Sequence, residues 1–114
     1  MARALVIEDE MIIAMTIEDM LHDLGHAVAG TAMALAPALE LAQTVDADVA
    51  ILDINLNGVE SFPVAEVLQT RGIPFFFASG YGSGGLGAGF SGHMTIRKPF
   101  DMRDLAQAID SLTN

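Results

Sequence analysis

Three acids, a hydroxyl and an ammonium stand where short strand-like runs of this 114-residue chain break off. Ala4 to Ile7 runs into Glu8 and Asp9, the run DVAIL at 48–52 into Asp53, the run at 73–78 into Ser79, and the run at 94–97 into Lys98 and Pro99. Two carboxylates about 4 Å apart repel by about 4 kcal/mol at an effective dielectric near 20. Three brought together therefore need either raised pKa values or a cation. Every donor in the set is an oxygen, the chain has no Cys, and none of its three His lies beside these positions. Such a set suits Mg²⁺, held together with several waters, better than Zn²⁺. A carboxylate flanked by a divalent ion and an ammonium can attack a phosphoryl group, because the cations neutralise charge on the equatorial oxygens. Asp53 is thus a candidate phospho-acceptor.

For these residues to converge, the runs must be strands of one sheet. Ala4 to Ile7 is almost wholly apolar, as a strand covered on both faces is. From Met11 the spacing turns helical, with Ile13, Ile17, Met20, Leu21 and Leu24 on one stripe and Gly25 as the terminating cap. His26 to Thr31 reads as a second strand, and Leu35 to Thr44 as an Ala-rich helix with Pro37 in its first turn. Asp48 to Leu52 is a third strand. Asn57 and Gly58 form a turn, and Ser61 is placed to cap a helix that carries Pro63 early and Val64, Val67 and Leu68 as its stripe; Arg71 and Gly72 close it. Ile73 to Ala78 and Met94 to Arg97 are the fourth and fifth strands. Asp101 caps a last helix with Met102, Leu105, Ala106, Ile109 and Leu112 at helical spacing.

Strand and helix alternate about five times, which demands crossover connections and a doubly wound parallel sheet with helices on both faces. Ligands of such sheets lie beyond the carboxyl ends of the strands, where the strand order reverses. One segment departs from the pattern. Between Gly80 and Gly92 seven glycines occupy the slot of the fourth helix. Each Gly inside a helix costs about 0.8–1 kcal/mol relative to Ala, so a short, frayed or absent helix and a mobile segment are expected.

Length allows one domain, 1–114, and 52% hydrophobic residues suffice for a full core. The net charge of -10 repels phosphate backbones and anionic lipid and excludes nucleic acid as a partner. No stretch has the length of a membrane span, the start lacks the order of a signal peptide, and the absence of Cys fits a reducing compartment. A soluble cytoplasmic protein is expected. His22, His26 and His93 are scattered and read as structural or exposed, and Met11, Met15, Met20, Met33, Met94 and Met102 as core filling or partner surface.

The pieces LVIEDE at 5–10, ILDINLNG at 51–58, ASG at 78–80 and KPF at 98–100, in this order and spacing, resemble the receiver domain of a two-component response regulator over essentially the whole chain. The run PFFFASGYG at 74–82 is similar to the receiver subgroup known as FAT GUY, of alphaproteobacterial stress signalling, with Ser79 at the motif's Thr position. The resemblance implies a flavodoxin-like, five-stranded fold. It implies phosphoryl transfer to Asp53 from a phosphohistidine of a histidine kinase or phosphotransferase. Asp9 and Asp53 would be Mg²⁺ ligands with the Asn55 carbonyl, Glu8 would act through water, Ser79 and Lys98 would contact the phosphate, and the Lys98–Pro99 bond would be cis. The family's switch aromatic falls at Thr95, so Tyr81 is the candidate replacement. The chain ends after the last helix, which implies a stand-alone receiver with no output domain, signalling through contacts with a downstream regulator as switch, shuttle or sink. It is a signalling protein that catalyses its own phosphorylation and dephosphorylation, not a metabolic enzyme.

Rival readings fit less well. An aspartyl-phosphate phosphatase wants an acid where Asn55 stands, and a nucleotide- or flavin-binding protein wants glycines where EDEM stands. A phosphorylation-independent pseudo-receiver is opposed by the intact Asp9, Asp53, Ser79 and Lys98.

Overall fold

Along the chain run β1 (Arg3–Ile7), α1 (Met11–Asp23), β2 (Ala27–Ala32), α2 (Leu35–Thr44), β3 (Val49–Asp53), β4 (Asn55–Leu56), β5 (Val59–Glu60), α3 (Phe62–Arg71), β6 (Phe75–Ser79), β7 (Thr95–Arg97) and α4 (Met102–Thr113). They are seen in a computed structural model, which describes residues 1–80, 89–90 and 93–113. The expected fourth helix, the mobile segment and Tyr81 fall outside the described residues.

Five strands form one parallel sheet in the order β2-β1-β3-β6-β7. This is the flavodoxin-like order, and its reversal lies between β1 and β3. Alternate side chains of each strand enter opposite layers. Leu5, Ile7, Leu52, Phe75 and Phe77 join Ala38, Ala42, Val64 and Leu68 beneath α2 and α3. Val6, Ile51 and Phe76 join Ile17, Leu21, Leu105 and Ile109 beneath α1 and α4. A strand between two such layers has no wet face, which is why its sequence does not alternate.

The layers are tied at their ends. Arg71 at the end of α3 donates from Nη1 to the carbonyls of Ala42 and Val45 at 2.8 and 2.7 Å, satisfying the terminus of α2. Asp101 caps α4 as expected: its Oδ1 accepts the Asp104 N–H at 2.9 Å, while Asp104 Oδ2 accepts the Asp101 N–H at 3.1 Å. Ser61 stands at the N-cap of α3 but makes no side-chain capping bond. Its ψ of 5° departs from the extended cap geometry, and its buried Oγ has no partner among the described residues.

The edge strand β2, AVAGTA, carries no charge. Its register against β1 slips between Ala4 and Leu5, leaving Ala29 as an extra residue. At Gly30 the space is tight: a Cβ would meet Leu41 Cδ1 at 3.3 Å, so any larger residue requires the Leu41 side chain to give way slightly. No described helix is long and apolar enough to cross a membrane.

Candidate functional site

β1 and β3 are neighbours paired from Ala4/Val49 to Ile7/Leu52, so the residues that follow them emerge side by side. One carboxylate oxygen each of Glu8, Asp9 and Asp53 lies within 4.8 Å of the others. Ser79 ends β6, one strand further on, and is buried. Its carbonyl accepts the Lys98 N–H at 2.9 Å, which holds the start of the next segment against β6. From there Lys98 reaches back across the sheet: Nζ donates to Asp53 Oδ2 at 3.2 Å and forms an ion pair with the Glu8 carboxylate. The Lys98–Pro99 bond is cis.

Glu8 is 1% exposed. A buried carboxylate needs partners, and Glu8 has two, Lys98 Nζ and the Glu10 N–H at 3.1 Å. Asp9 Oδ2 accepts the Asn57 N–H at 3.0 Å. Asn57 and Gly58, at φ 56° and 87°, form the two-residue turn between β4 and β5; φ above zero at both positions suits Asn-Gly. Gly58 donates its N–H to Asn55 Oδ1 at 2.7 Å, and Asn57 Nδ2 donates to the Met33 carbonyl at 3.1 Å. The expected turn is thus a small hairpin that buttresses Asp9.

Three carboxylates face one ammonium, and the imbalance shifts their titration. Burial, then the charge of Glu8, pushes the Asp53 carboxyl up to about 7, against the pull of Lys98. Burial also acts to raise Asp9, but hydrogen bonds from the Asn57 N–H and its acidic neighbours outweigh it and leave it lowered. Burial acts to lower Lys98; its bond to Glu8 and the charges of Asp53 and Glu8 prevail, and it is raised. An all-oxygen cluster with surplus negative charge fits a hard divalent cation such as Mg²⁺.

The structure thus brings Glu8, Asp9, Asp53 and Lys98 into one cluster, with Ser79 at the end of the strand between. Asn55 joins through its N–H, 3.4 Å from Asp53 Oδ1. Thr95 lies in β7 and donates from Oγ1 to the His93 carbonyl at 3.1 Å. Two His are structural: His26 Nδ1 accepts the Ala2 N–H at 3.0 Å, and His93 Nε2 lies 2.8 Å from the Phe75 carbonyl with its ring stacked on Phe75. His22 is exposed. Sequence reasoning missed the Glu8–Lys98 pair and the Asn57 contact with Asp9; the NG pair between two apolar residues was the available signal for the latter.

Residues 4–110 match the family model described as the response regulator receiver domain. The chain is similar to the solution structure of SdrG from Sphingomonas melonis Fr1, at 39% identity over 98% of this chain and 96% of that one, with a TM-score of 0.84. It matches SdrG in its BeF3-activated conformation, given for Pseudomonas melonis Fr1, at 40% identity over 98% and 96%, TM-score 0.83. The PhyR response regulator REC domain of Erythrobacter litoralis is 29% identical over 97% of this chain and 88% of that one, TM-score 0.85. No curated protein matches the chain.

Proposed function

The chain belongs to the response regulator receiver domains, and from that premise we propose that it accepts a phosphoryl group on Asp53 from a phosphohistidine of a histidine kinase or phosphotransferase. The carrying observation is that one lysine, Lys98, bridges Asp53 and the buried Glu8 beside Asp9. An ionised Asp53 oxygen attacks phosphorus, the P–N bond breaks, and its electron pair leaves with the imidazole nitrogen. Asp9, Asp53 and the Asn55 carbonyl would hold Mg²⁺, with Glu8 acting through water. When bound, the ion neutralises charge on the transferring phosphoryl oxygens. Lys98 exchanges its contact with Asp53 for one with a phosphoryl oxygen, and the Ser79 hydroxyl donates to another. That SdrG, at 40% identity, is described in a BeF3-activated conformation supports this reading, since the trifluoride mimics a phosphoryl group.

The same reading takes residues 1–114 as a cytoplasmic receiver of the FAT GUY type in a stress-response relay, with output through protein contacts. Its kinase-side surface is a 360 Å³ groove beside the site, where Ile13, Thr16, Ile17 and Met20 of α1 face Pro99 and Phe100. Tyr81 replaces the aromatic absent at Thr95. If it does, both Tyr81→Phe and Tyr81→Ala alter partner binding after phosphorylation; unchanged binding in both variants would remove it as the switch.

Intact mass after incubation with a small phosphodonor tests the chemistry. The wild type is expected to gain one phosphoryl group only with Mg²⁺, and Asp53→Asn none. A chain that also gains nothing from a panel of phosphorylated kinases and phosphotransferases is a binding module of the pseudo-receiver kind.

A further inference from the structure

Helix α1 presents two separate stripes at i, i+3, i+4, i+7 spacing. One, Ile13, Thr16, Ile17 and Met20, borders the groove beside Lys98. The other, Met11, Ala14, Met15 and Glu18, borders a second groove of 530 Å³ at the β2 edge, closed on the far side by Met33 and Pro37. Its Met side chains are open to solvent: Met11 is 61%, Met15 55% and Met33 39% exposed. Three apolar side chains standing out of one groove exceed what scattered surface residues require. Methionine adapts its shape to varied apolar partners.

Charge decides what can occupy it. No Lys or Arg occurs between Arg3 and Arg71, while residues 4–70 hold twelve of the fifteen acids. Helix α1, β2 and α2 all come from that stretch, so the elements around the groove carry no lysine or arginine. Asp19 and Asp23 on α1 and Glu40 on α2 are exposed, as is Glu10 at the N-cap of α1. Glu18 lies at the rim and accepts from Thr31 Oγ1 at 2.5 Å. A second copy would bring the same charge, and anionic lipid or nucleic acid would be repelled. Complementarity requires apolar side chains with cations beside them. Met11 to Glu18 spans two helical turns, about 10 Å, the reach of two apolar anchors on a docked helix.

We propose that this groove is a docking site, distinct from the phosphoryl site, for a cationic amphipathic helix of another protein. The probe is a synthetic Lys/Leu peptide of roughly 14 residues, long enough to form a two-sided helix, titrated into the unphosphorylated 114-residue chain carrying ¹³C-methyl methionine. All seven methionines can report. The Met11, Met15 and Met33 methyls are expected to shift, with Met20 and Met94 still. A scrambled peptide of the same composition should bind about tenfold more weakly, as should Met15→Ala and Met33→Ala protein, whereas Met20→Ala should bind like the wild type. A Glu/Leu peptide should leave the spectrum unchanged. Equal response to the scrambled peptide, or shifts centred on Met20, would overturn the proposal. So would dilution-dependent shifts of Met11, Met15 and Met33 without peptide, since a second copy would then be the occupant. Phosphorylation enters none of these measurements, so failure here leaves the reading of Asp53 standing, and the reverse.

Discussion

Lys98 is the one ammonium among three carboxylates, and its removal strands Glu8. Losing one partner of a buried pair costs about 3 kcal/mol, so Lys98→Met in a chelating buffer should lower stability by roughly that amount in urea titration. Adding Glu8→Gln to Lys98→Met should restore part of it, because the amide needs no counter-charge. Asp53 carries a pH signature. Its carboxyl, ordinarily near 3.8, titrates at about 7 in the fold. Between those values the folded chain holds a proton that the unfolded chain has released, so metal-free stability falls as pH rises from about 4 to about 7. Asp53→Asn should flatten that slope, as urea midpoints at several pH values would show. The positions of Glu8, Asp9, Asp53 and Ser79 were legible in the sequence, because an apolar run that stops at a polar residue marks a strand end; Lys98, preceded by Arg97, was placed by the KPF piece at 98–100. That Lys98 would pair with Glu8 was not legible, since that contact crosses the full order β7-β6-β3-β1.

At the scale of elements, short apolar runs placed every main strand, and an Ala-rich segment with Pro37 early placed α2, within a residue or two of where they lie. Asn57-Gly58 was legible as a turn but not as a hairpin. The flanking pairs Asn55–Leu56 and Val59–Glu60 are too short to show a period of two. Gly58 has open space where a Cβ would go but a φ of 87°, so Gly58→Ala pays only for backbone strain, about 1 kcal/mol. Because the turn braces Asp9, calorimetry should also show weaker Mg²⁺ binding in that variant. Ser61 illustrates the limit of cap rules: residue type predicted its place, while a local ψ of 5°, away from the extended cap geometry, leaves its hydroxyl without a capping bond. Removing a buried hydroxyl that has no partner among the described residues relieves its desolvation, so Ser61→Ala should raise the melting temperature, by up to about 1 kcal/mol in stability terms.

For the molecule as a whole, alternating elements and unbroken aliphatic strands made the doubly wound sheet and its two buried layers readable in advance. The distribution of charge relative to that sheet was not. A net charge counts residues, and the cation-free stretch 4–70 is visible in the sequence, whereas the groove that α1, β2 and α2 enclose within it emerges only when those elements are placed together. The segment rich in glycine after β6 marks where helical periodicity ceases to inform.

The uncharged outer edge of β2 gives the protein a colloidal weak point. A bare strand edge invites pairing with another chain, and here a bulge at Ala29 and mutual repulsion between anionic molecules stand against it. That repulsion vanishes as the pH approaches the isoelectric point near 4.3, where light scattering should rise most steeply, and added salt at neutral pH should bring the onset closer.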